Sequence, residues 1–300
     1  MAKQIGYIGL GKMGMSMVAR LKDKKWHVET YDVNGRGSVQ SVEQLANSLS
    51  KPRMIWIMVP ALAKASAGKP AYSPVDNVIA KLLPHLTKGD IVIDGGNSFY
   101  VDSIRSGKKL AQRGISFLDV GVSGGPGTVR DGKPAFMVGG EKEIFAKLKP
   151  LFQDLTKKES FGYMGKSGAG HFVKMVHNGI EYGMMQALAE GFCLMERVPF
   201  ALDLQEVARV YNNGSVIQSR LVGWLEAGFA RYGRDLKEAS GRVQHTGEGE
   251  WTVKTAKKFG VPVPAIKAAF GFRLQSAKKP SYTGKILTML RSQFGGHSIK

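Results

Sequence analysis

The sequence predicts an α/β fold in which a doubly wound parallel sheet, over residues 1–167, precedes an all-helical domain over residues 168–300. In the first part, short apolar strand candidates alternate with helical patterns, and this order favours a parallel sheet covered by helices on both faces. In the second part, apolar residues recur at helical spacing from 168 to 198 without a proline, and helical patterns continue to the end. This change of pattern places the domain boundary near residues 165–170.

Apolar runs bounded by turn residues are the strand candidates of the first domain, at residues 4–8, 26–31, 53–59, 91–94 and 116–120. Helical patterns follow the first strand to about residue 24, and recur at 74–86 and 102–113. Ser41 precedes Gln44 at the spacing of a capping box, which predicts another helix start. Residues 61–74 are rich in Ala, Lys, Ser, Gly and Pro, and this composition predicts an extended loop.

The amino-acid composition limits the classes of protein to which the chain can belong. The 300 residues are 43% hydrophobic, which is enough to form apolar cores. A chain of this length usually folds into about two domains. A single cysteine, Cys193, cannot form an internal disulfide, which fits a reducing cytoplasm. No apolar run reaches the roughly 20 residues that a membrane span requires. The first residues carry no leader pattern, so we expect a cytoplasmic protein without a membrane partner.

The net charge of +19 has two interpretations. An excess of Lys and Arg is typical of nucleic-acid-binding proteins, and equally of surfaces that attract small anions. Here the basic residues are scattered in short runs, such as 22–25, 157–158 and 278–279, and no nucleic-acid motif accompanies them. We therefore favour the second interpretation and expect no nucleic-acid partner.

A glycine motif, Gly9-x-Gly11-x-x-Gly14, follows the first strand and opens a helix. In a strand–helix–strand unit this motif predicts a Rossmann-type domain, because the glycines let a dinucleotide pyrophosphate approach the helix N-terminus. Asp32 ends the second strand, where an acidic side chain hydrogen-bonds the ribose hydroxyls of NAD and repels a 2′-phosphate. NAD is therefore the favoured cofactor. Arg36 keeps NADP open, because it is close enough in sequence to pair with a 2′-phosphate.

The long predicted helix has a polar face. Lys174, His177, Asn178 and Glu181 stand at i, i+3, i+4 and i+7, with Tyr182 beside them, and the residues between are mostly apolar. Burying such a face without partners would be costly, which favours a functional site. A lysine and a glutamate can serve as base and acid when their surroundings tune them. The histidines show no zinc-site spacing, so we expect no metal.

Several segments resemble a known family. Residues 6–14 resemble the β-hydroxyacid dehydrogenase superfamily. The runs Ile-Asp-Gly-Gly-Asn-Ser at 93–98, Gly-Val-Ser-Gly-Gly at 121–125 and Lys-x-x-His-Asn-x-x-Glu-Tyr at 174–182 resemble 6-phosphogluconate dehydrogenase in particular. The resemblance extends over nearly the whole chain. It implies oxidative decarboxylation of 6-phospho-D-gluconate to D-ribulose 5-phosphate and CO2, with hydride transfer to NAD or NADP.

The resemblance also implies roles for individual residues. Lys174 would take the proton of the substrate's C3 hydroxyl, and Glu181 would protonate C1 of the enediol. The implied substrate contacts are Asn97, Ser123, Gly124, Gly125, His177, Asn178, Tyr182, Arg273, Arg291 and His297. Together with the glycine turn, the resemblance implies that the cofactor contacts Gly9, Leu10, Gly11, Met13, Gly14, Asp32, Val59, Pro60 and Asn97. The tail at 291–297 resembles the family's, which implies a homodimer or homotetramer whose C-terminal tail completes a neighbour's site.

The chain departs from the family pattern in two ways. Familiar members are far longer, which fits a short subgroup that often prefers NAD. Long members have a phosphate-binding lysine before a Gly-Thr-Gly-Lys-Trp run. This chain has Thr246-Gly-Glu-Gly-Glu-Trp instead and lacks that lysine. Arg242 or His245 is the alternative cation for the substrate phosphate.

Two other functions stay open at this level. One is a 3-hydroxyacid dehydrogenase that acts on an unphosphorylated acid without decarboxylation. Arg273, Arg291 and His297 argue against it, because three such groups suit a phosphate. The other is a non-enzymatic protein that senses a nucleotide or binds nucleic acid, which the basic charge motivates.

Overall fold

The computed structural model describes residues 3–60, 73–295 and 297–300, and divides the chain into two compact units, Met1–Lys174 and Met175–Lys300. The division falls inside a long helix, whereas the sequence predicts a boundary at its start. Residues 61–72 of the predicted loop lie outside the described residues, and Ser73 caps the helix that begins at Pro74. Each unit is described separately below.

The first unit contains a mixed sheet in the strand order β2-β1-β3-β4-β5-β6-β7. The described strands are β1 Gln4–Ile8, β2 His27–Tyr31, β3 Met54–Ile57, β4 Ile91–Asp94, β5 Ser116–Ser123, β6 Ala135–Gly140 and β7 Phe161–Gly165. Strands β1 to β5 are mutually parallel, β6 is antiparallel to β5, and β7 is parallel to β6. The predicted α/β class is confirmed. The sequence analysis missed β6 and β7, whose several glycines weaken the strand signal.

Helices cover both faces of this sheet. They are α1 Lys12–Asp23, α2 Val42–Asn47, α3 Pro74–Leu82, α4 Tyr100–Ala111, α5 Pro126–Arg130, α6 Lys142–Leu155 and α7 Ala169–Arg197, the last of which continues into the second unit. One apolar cluster joins α1 and α6 to the strands, and another joins α2, α3 and α4 to them. Trp56 belongs to the first cluster, whereas its neighbours Ile55 and Ile57 belong to the second. This alternation is what a strand buried on both faces requires.

Two helix starts show how local sequence sets the ends of elements. Ser41 accepts a hydrogen bond from the backbone N–H of Gln44 at 3.0 Å, as the sequence predicts. The Gln44 side chain, however, accepts from the N–H of Gln40 at 2.8 Å, one residue before the cap. A complete capping box, which the sequence analysis missed, joins Ser73 and Asp76 at the start of α3.

The described residues of the second unit form helices joined by turns and loops, with no strand among them. After the remainder of α7 come α8 Leu204–Tyr211, α9 Arg220–Tyr232, α10 Glu248–Lys258, α11 Pro264–Ser276 and α12 Tyr282–Gly295. Its core is a single apolar cluster to which α7, α8, α9 and α12 contribute, including Phe192, Leu225 and Leu290. In the described part of the chain, no helix is long and apolar enough to span a bilayer.

Candidate functional site

The glycine turn joins β1 to α1, and its three glycines differ in what surrounds them. Gly9 has a φ of +101°, in the left-handed region that glycine favours, and a Cβ there would overlap the carbonyl of Met58. A Cβ at Gly14 would overlap the carbonyl of Gly9, so Gly14 lets α1 pack directly on the turn. A Cβ at Gly11, the N-cap of α1, would meet nothing within 4 Å. Gly11 therefore leaves the helix N-terminus open to a ligand's approach.

The first turn of α1 suits an anion. It contains no acidic residue, and its N-cap supplies no side-chain hydrogen bond. Helix N-terminal N–H groups and the helix dipole then favour a phosphate group at this position. Two predicted cofactor residues flank this turn. Leu10 is buried in the core of the unit, and Met13 packs against that core from α1.

Asp32 is held by the turn that it follows. Its carboxylate is 7% exposed and accepts backbone N–H groups of Leu10 at 2.8 Å and Asn34 at 2.9 Å. The half-exposed Arg36 lies 3.3 Å away through Nη2. Burial acts to raise the pKa of Asp32, but the two N–H donors and the Arg36 charge outweigh it, and the pKa is lowered. Asp32 is therefore ionised near neutral pH, with Arg36 beside it.

The remaining predicted cofactor residues follow β3 and β4. Val59 is half-buried against the core, and Pro60 is exposed. The turn after β4 approaches Val59 closely, because a Cβ at Gly96 would lie 3.0 Å from the Val59 carbonyl oxygen. Asn97, the next residue, is half-buried. The first unit thus brings Val59 close to the turn that carries Asn97.

Asp94 holds that turn in shape. Its carboxylate accepts the backbone N–H of Gly96 at 3.0 Å and the hydroxyl of Ser98 at 2.8 Å. Burial raises the pKa of Asp94, and the charge of His171 together with these hydrogen bonds offsets part of the rise. The sequence analysis quoted Asp94 within a motif but gave it no role. Its position could have indicated a role, because Asp94 is an acidic residue at the carboxyl end of an apolar strand.

Strand β5 carries the next set of predicted residues. Ser123 ends the strand, Gly124 has a φ of +129°, and Gly125 is the N-cap of α5. Lys174 belongs to the same unit, where its side chain lies directly over Gly121 of β5. A Cβ at Gly121 would overlap the Cβ of Lys174. Only a glycine at this position permits so close an approach.

The polar face of α7 continues in the second unit. The Nδ1 of His177 lies 3.0 Å from Oδ1 of Asn178 and 3.8 Å from Oε2 of Glu181. Asn178 is buried, whereas His177 and Glu181 are half-buried. His177 therefore contacts both Asn178 and Glu181 along one stretch of helix.

The deepest charges of the second unit are two arginines. Arg273 is 3% exposed and Arg291 is 6% exposed, and the guanidinium carbon of Arg273 lies 3.4 Å from the ring centroid of buried Tyr182. Two acids of this unit, Glu181 and Glu248, act electrostatically on both guanidiniums. The pKa of Arg273 is lowered to about 10, chiefly by burial and also by the charge of Arg291, while Tyr182, Glu181 and Glu248 oppose the shift. Burial also lowers the pKa of Arg291.

The Thr246–Trp251 segment contributes an acid to this cluster. Glu248 begins α10, is buried, and accepts a hydrogen bond from the Thr246 hydroxyl at 2.6 Å. Burial raises the pKa of Tyr182, and the charge of Glu248 raises it further against the opposing charge of Arg273. Arg242 and His245 are both exposed, and His245 lies edge-on to Phe270. Neither proposed substitute cation is buried with Arg273.

The tail ends on its own unit. Ile299 packs against the helical core, and its carbonyl accepts the N–H of Ser240 at 2.8 Å. His297 is half-buried. Within the described residues, no group of three His, Cys, Asp or Glu side chains is arranged to hold a metal ion.

Family models match most of the chain. The model described as the NAD binding domain of 6-phosphogluconate dehydrogenase matches residues 4–165. The model described as the 6-phosphogluconate dehydrogenase C-terminal domain matches residues 170–291. The two matches lie on either side of the start of α7.

Similar proteins extend the match over the full length. The Bacillus subtilis protein YqeC is 40% identical over 99% of each chain. The NAD-dependent, decarboxylating 6-phosphogluconate dehydrogenase of Haloferax volcanii is 37% identical, with 99% of this chain and 98% of that protein covered. A solved Plasmodium falciparum 6-phosphogluconate dehydrogenase, studied with NADP and with 6-phosphogluconate, is 27% identical with a TM-score of 0.79. That match covers 97% of this chain and 70% of the other.

Proposed function

The chain belongs to the 6-phosphogluconate dehydrogenase family, and from this premise we propose that it oxidatively decarboxylates 6-phospho-D-gluconate to D-ribulose 5-phosphate and CO2. NAD is the favoured hydride acceptor and NADP a second one. The observation that carries the proposal is the buried pair Arg273 and Arg291 in the second unit. Two buried guanidiniums whose desolvation neighbouring groups offset only in part match the charge of a phosphate dianion.

The residues of the first unit fit a dinucleotide. Gly11 leaves the N-terminus of α1 accessible, and the adjoining first turn lacks an acidic residue, so the N–H groups would hold the pyrophosphate. Asp32 would hydrogen-bond the adenosine ribose hydroxyls, and Val59, Pro60 and Asn97 would line the rest of the cofactor. When bound, the nicotinamide supplies the acceptor for the hydride that leaves C3 of the substrate.

The chain's own residues would handle the protons. Lys174 in its neutral form would take the proton of the C3 hydroxyl during oxidation. Protonated Lys174 would then stabilise the negative charge that develops on the C3 oxygen as CO2 leaves. Glu181 would deliver a proton to C1 of the enediol, giving ribulose 5-phosphate. His177 contacts both Asn178 and Glu181, which supports a shared role for the three residues in orienting the reacting end of the substrate.

The other substrate contacts divide by unit. Asn97, Ser123, Gly124 and Gly125 would bind from the strand ends of the first unit. Tyr182, Arg273 and Arg291 would bind the phosphate end, with Arg273 held flat on the Tyr182 ring. We also propose that the enzyme is cytoplasmic and forms a homodimer or homotetramer in which His297 completes a neighbour's site. Sedimentation of the wild type and of a variant truncated after Gly296 would test assembly, and full turnover by a monomer would exclude a shared site.

The decisive experiment is the initial rate of nicotinamide reduction with 6-phosphogluconate, run in parallel with NAD and NADP. We expect rapid reduction of NAD, slower reduction of NADP and stoichiometric CO2. Gluconate and 3-hydroxyisobutyrate are the matched substrates without a phosphate. Turnover of either unphosphorylated acid in preference to 6-phosphogluconate would overturn the substrate assignment. Preference for NADP would overturn the role given to Asp32 and point to Arg36.

A further inference from the structure

The first turn of α7 takes its N-cap from elsewhere in the chain. An N-cap side chain normally accepts the N–H of the second or third helical residue. The residue before α7 is Gly168, which has a φ of +94° and no side chain to offer. A larger residue would not fit, because a Cβ there would lie 2.5 Å from Cγ1 of Ile104. The cap must therefore come from another element.

Asp119 of β5 supplies it. The carboxylate is 0% exposed, and Oδ2 accepts the N–H of His171, the third residue of α7, at 2.9 Å. Oδ1 accepts the N–H of Gly168 at 2.7 Å. A buried anion at a helix N-terminus also complements the helix dipole. The strand thus performs the capping that Gly168 cannot.

The same strand forms the surface under Lys174. Gly121, two residues along β5 from Asp119, is the glycine whose Cβ would overlap the Cβ of Lys174. At the other side of the first turn, the amide nitrogen of Gly170 lies 2.6 Å from where a Cβ at Gly139 would stand. Around these glycines the helix therefore rests on backbone, which leaves little room for a shift.

We propose that Asp119 is the positioning residue for Lys174. By capping α7 from β5, its carboxylate sets the height and rotation of the first turns on the strand, and with them the place of the lysine amine. The inference rests on the proposed function, because it takes Lys174 as the proton acceptor. The side chain of His171 strengthens the anchor, since its Nδ1 lies 2.7 Å from Oγ of Ser103 on α4.

Asp90 provides a matched control. It is also 0% exposed, and it likewise accepts two backbone N–H groups, from Arg53 at 2.7 Å and Thr87 at 2.8 Å. It precedes β4, at the opposite end of the strands from Asn97 and Ser123, and also pairs with the Arg53 side chain at 2.9 Å. A purely structural role for a buried aspartate would make the two positions behave alike.

The test compares Asp119→Asn, Asp119→Ala and Asp90→Asn in the full-length enzyme. We expect Asp119→Ala to lower kcat for 6-phosphogluconate by about 100-fold, since a displacement of about 1 Å at a reacting group can cost that much. Asp119→Asn keeps one acceptor oxygen, so its kcat should fall less than that of Asp119→Ala. KM for both substrates should stay within about threefold, and Asp90→Asn should lower Tm while leaving kcat per folded molecule unchanged.

Two further measurements keep the inference testable if Asp119→Ala folds poorly. Gly121→Ala should displace Lys174 directly and lower kcat, whereas Gly191→Ala on the same helix, where a Cβ meets nothing within 4 Å, should not. In the cofactor-free enzyme, the backbone amides of residues 168–171 should exchange faster in Asp119→Asn than in the wild type. Asp90→Asn should leave their exchange unchanged. An inactive wild type would overturn the proposed function. An active wild type with Asp119→Asn at the same kcat would overturn only the positioning role.

Discussion

The two units stabilise their buried charges in different ways. In the first unit, Asp32, Asp94 and Asp119 are buried carboxylates, and each accepts at least one backbone N–H. In the second, Arg273 and Arg291 are buried guanidiniums whose desolvation is offset only in part by neighbouring groups, so that both pKa values are lowered. Carboxylates satisfied by their own backbone complete a fold, whereas incompletely compensated cations suit an external anion. We therefore expect the carboxylates to serve the fold of the first unit and the two guanidiniums to serve a ligand of the second.

The largest expected effect tests whether the proton transfer depends on Lys174 of the first unit and phosphate binding on residues of the second. Lys174→Met should lower kcat by about 10²- to 10⁴-fold, the range of a lost acid–base group. The KM for 6-phosphogluconate should change little, because the phosphate contacts lie in the second unit. Initial rates measure both, and Tm controls for folding. A raised KM with an unchanged kcat would place Lys174 among the binding residues.

The next effect concerns the buried cations. Arg273→Met should raise the KM for 6-phosphogluconate by about 10- to 150-fold, the equivalent of about 1.5–3 kcal/mol for a charged hydrogen bond. It should not lower Tm, because methionine removes a charge whose desolvation outweighs the stabilisation by its neighbours, as the lowered pKa shows. Arg291→Met should act in the same direction. A large loss of Tm would mean that the guanidinium stabilises the fold after all.

The sign of that stability effect follows from the pKa. Arg273 has a folded-state pKa of about 10, below its usual value, so the folded protein binds this proton more weakly than the unfolded chain does. The destabilisation is fully present below pH about 10 and fades as pH rises from there towards the pKa of the unfolded chain. Denaturant unfolding at neutral pH therefore measures the whole cost, and Arg273→Met should recover it.

A smaller effect separates the two charges beside the glycine turn. Asp32 is satisfied by two backbone N–H groups, so losing Arg36 should change kcat/KM with NAD by less than about fivefold, as for an exposed ion pair. Arg36→Ala should lower kcat/KM with NADP by about tenfold or more, because a charged partner of the 2′-phosphate is lost. Parallel initial rates with the two cofactors measure the ratio. An unchanged ratio would remove Arg36 from cofactor selection.

The smallest effect concerns α7 where it is exposed. Gly191→Ala should stabilise the protein by about 0.5–1 kcal/mol, because alanine is the better helix residue and its Cβ meets no neighbour within 4 Å. Thermal unfolding should show a rise in Tm of about 1–4 °C. A fall in Tm would indicate that this face is packed in solution, which is the outcome an oligomer through α7 would produce.

Much of the fold could be predicted from sequence. Strands β1 and β4 have the predicted ends, because apolar runs bounded by turn residues leave little choice of position. The long helix begins and ends within a residue of its prediction, since a proline follows it and a glycine precedes it. Strands β6 and β7, and the antiparallel pairing of β6 with β5, were not predicted. Pairing direction depends on contacts between distant segments, which no local pattern records.

The candidate site shows the same limit. The motif residues were found because glycine turns and i, i+4 spacing leave a signature in the sequence. Asp119, Asp94 and Glu248 were not assigned roles. The partners of Asp119 are Gly168 and His171, far along the chain. Asp94 and Glu248 bond to nearby residues, but their burial depends on packing between distant segments, which no local pattern records. The cap on α7 joins residues 119 and 171, and the arginine cluster joins helices α7, α11 and α12.

The sequence by itself determined the first five strands, the long helix and the dinucleotide turn and, through the resemblance of its motifs, the family and the identity of the proposed catalytic pair. These follow from periodicity, from glycine's backbone freedom and from short motifs, all of which are local. Only the tertiary structure decided that Asp32 is held by Leu10, that Arg273 stacks on Tyr182, and that Asp119 caps the helix of Lys174. Burial and hydrogen-bond geometry are set by packing between distant segments, so they exist only once the chain has folded.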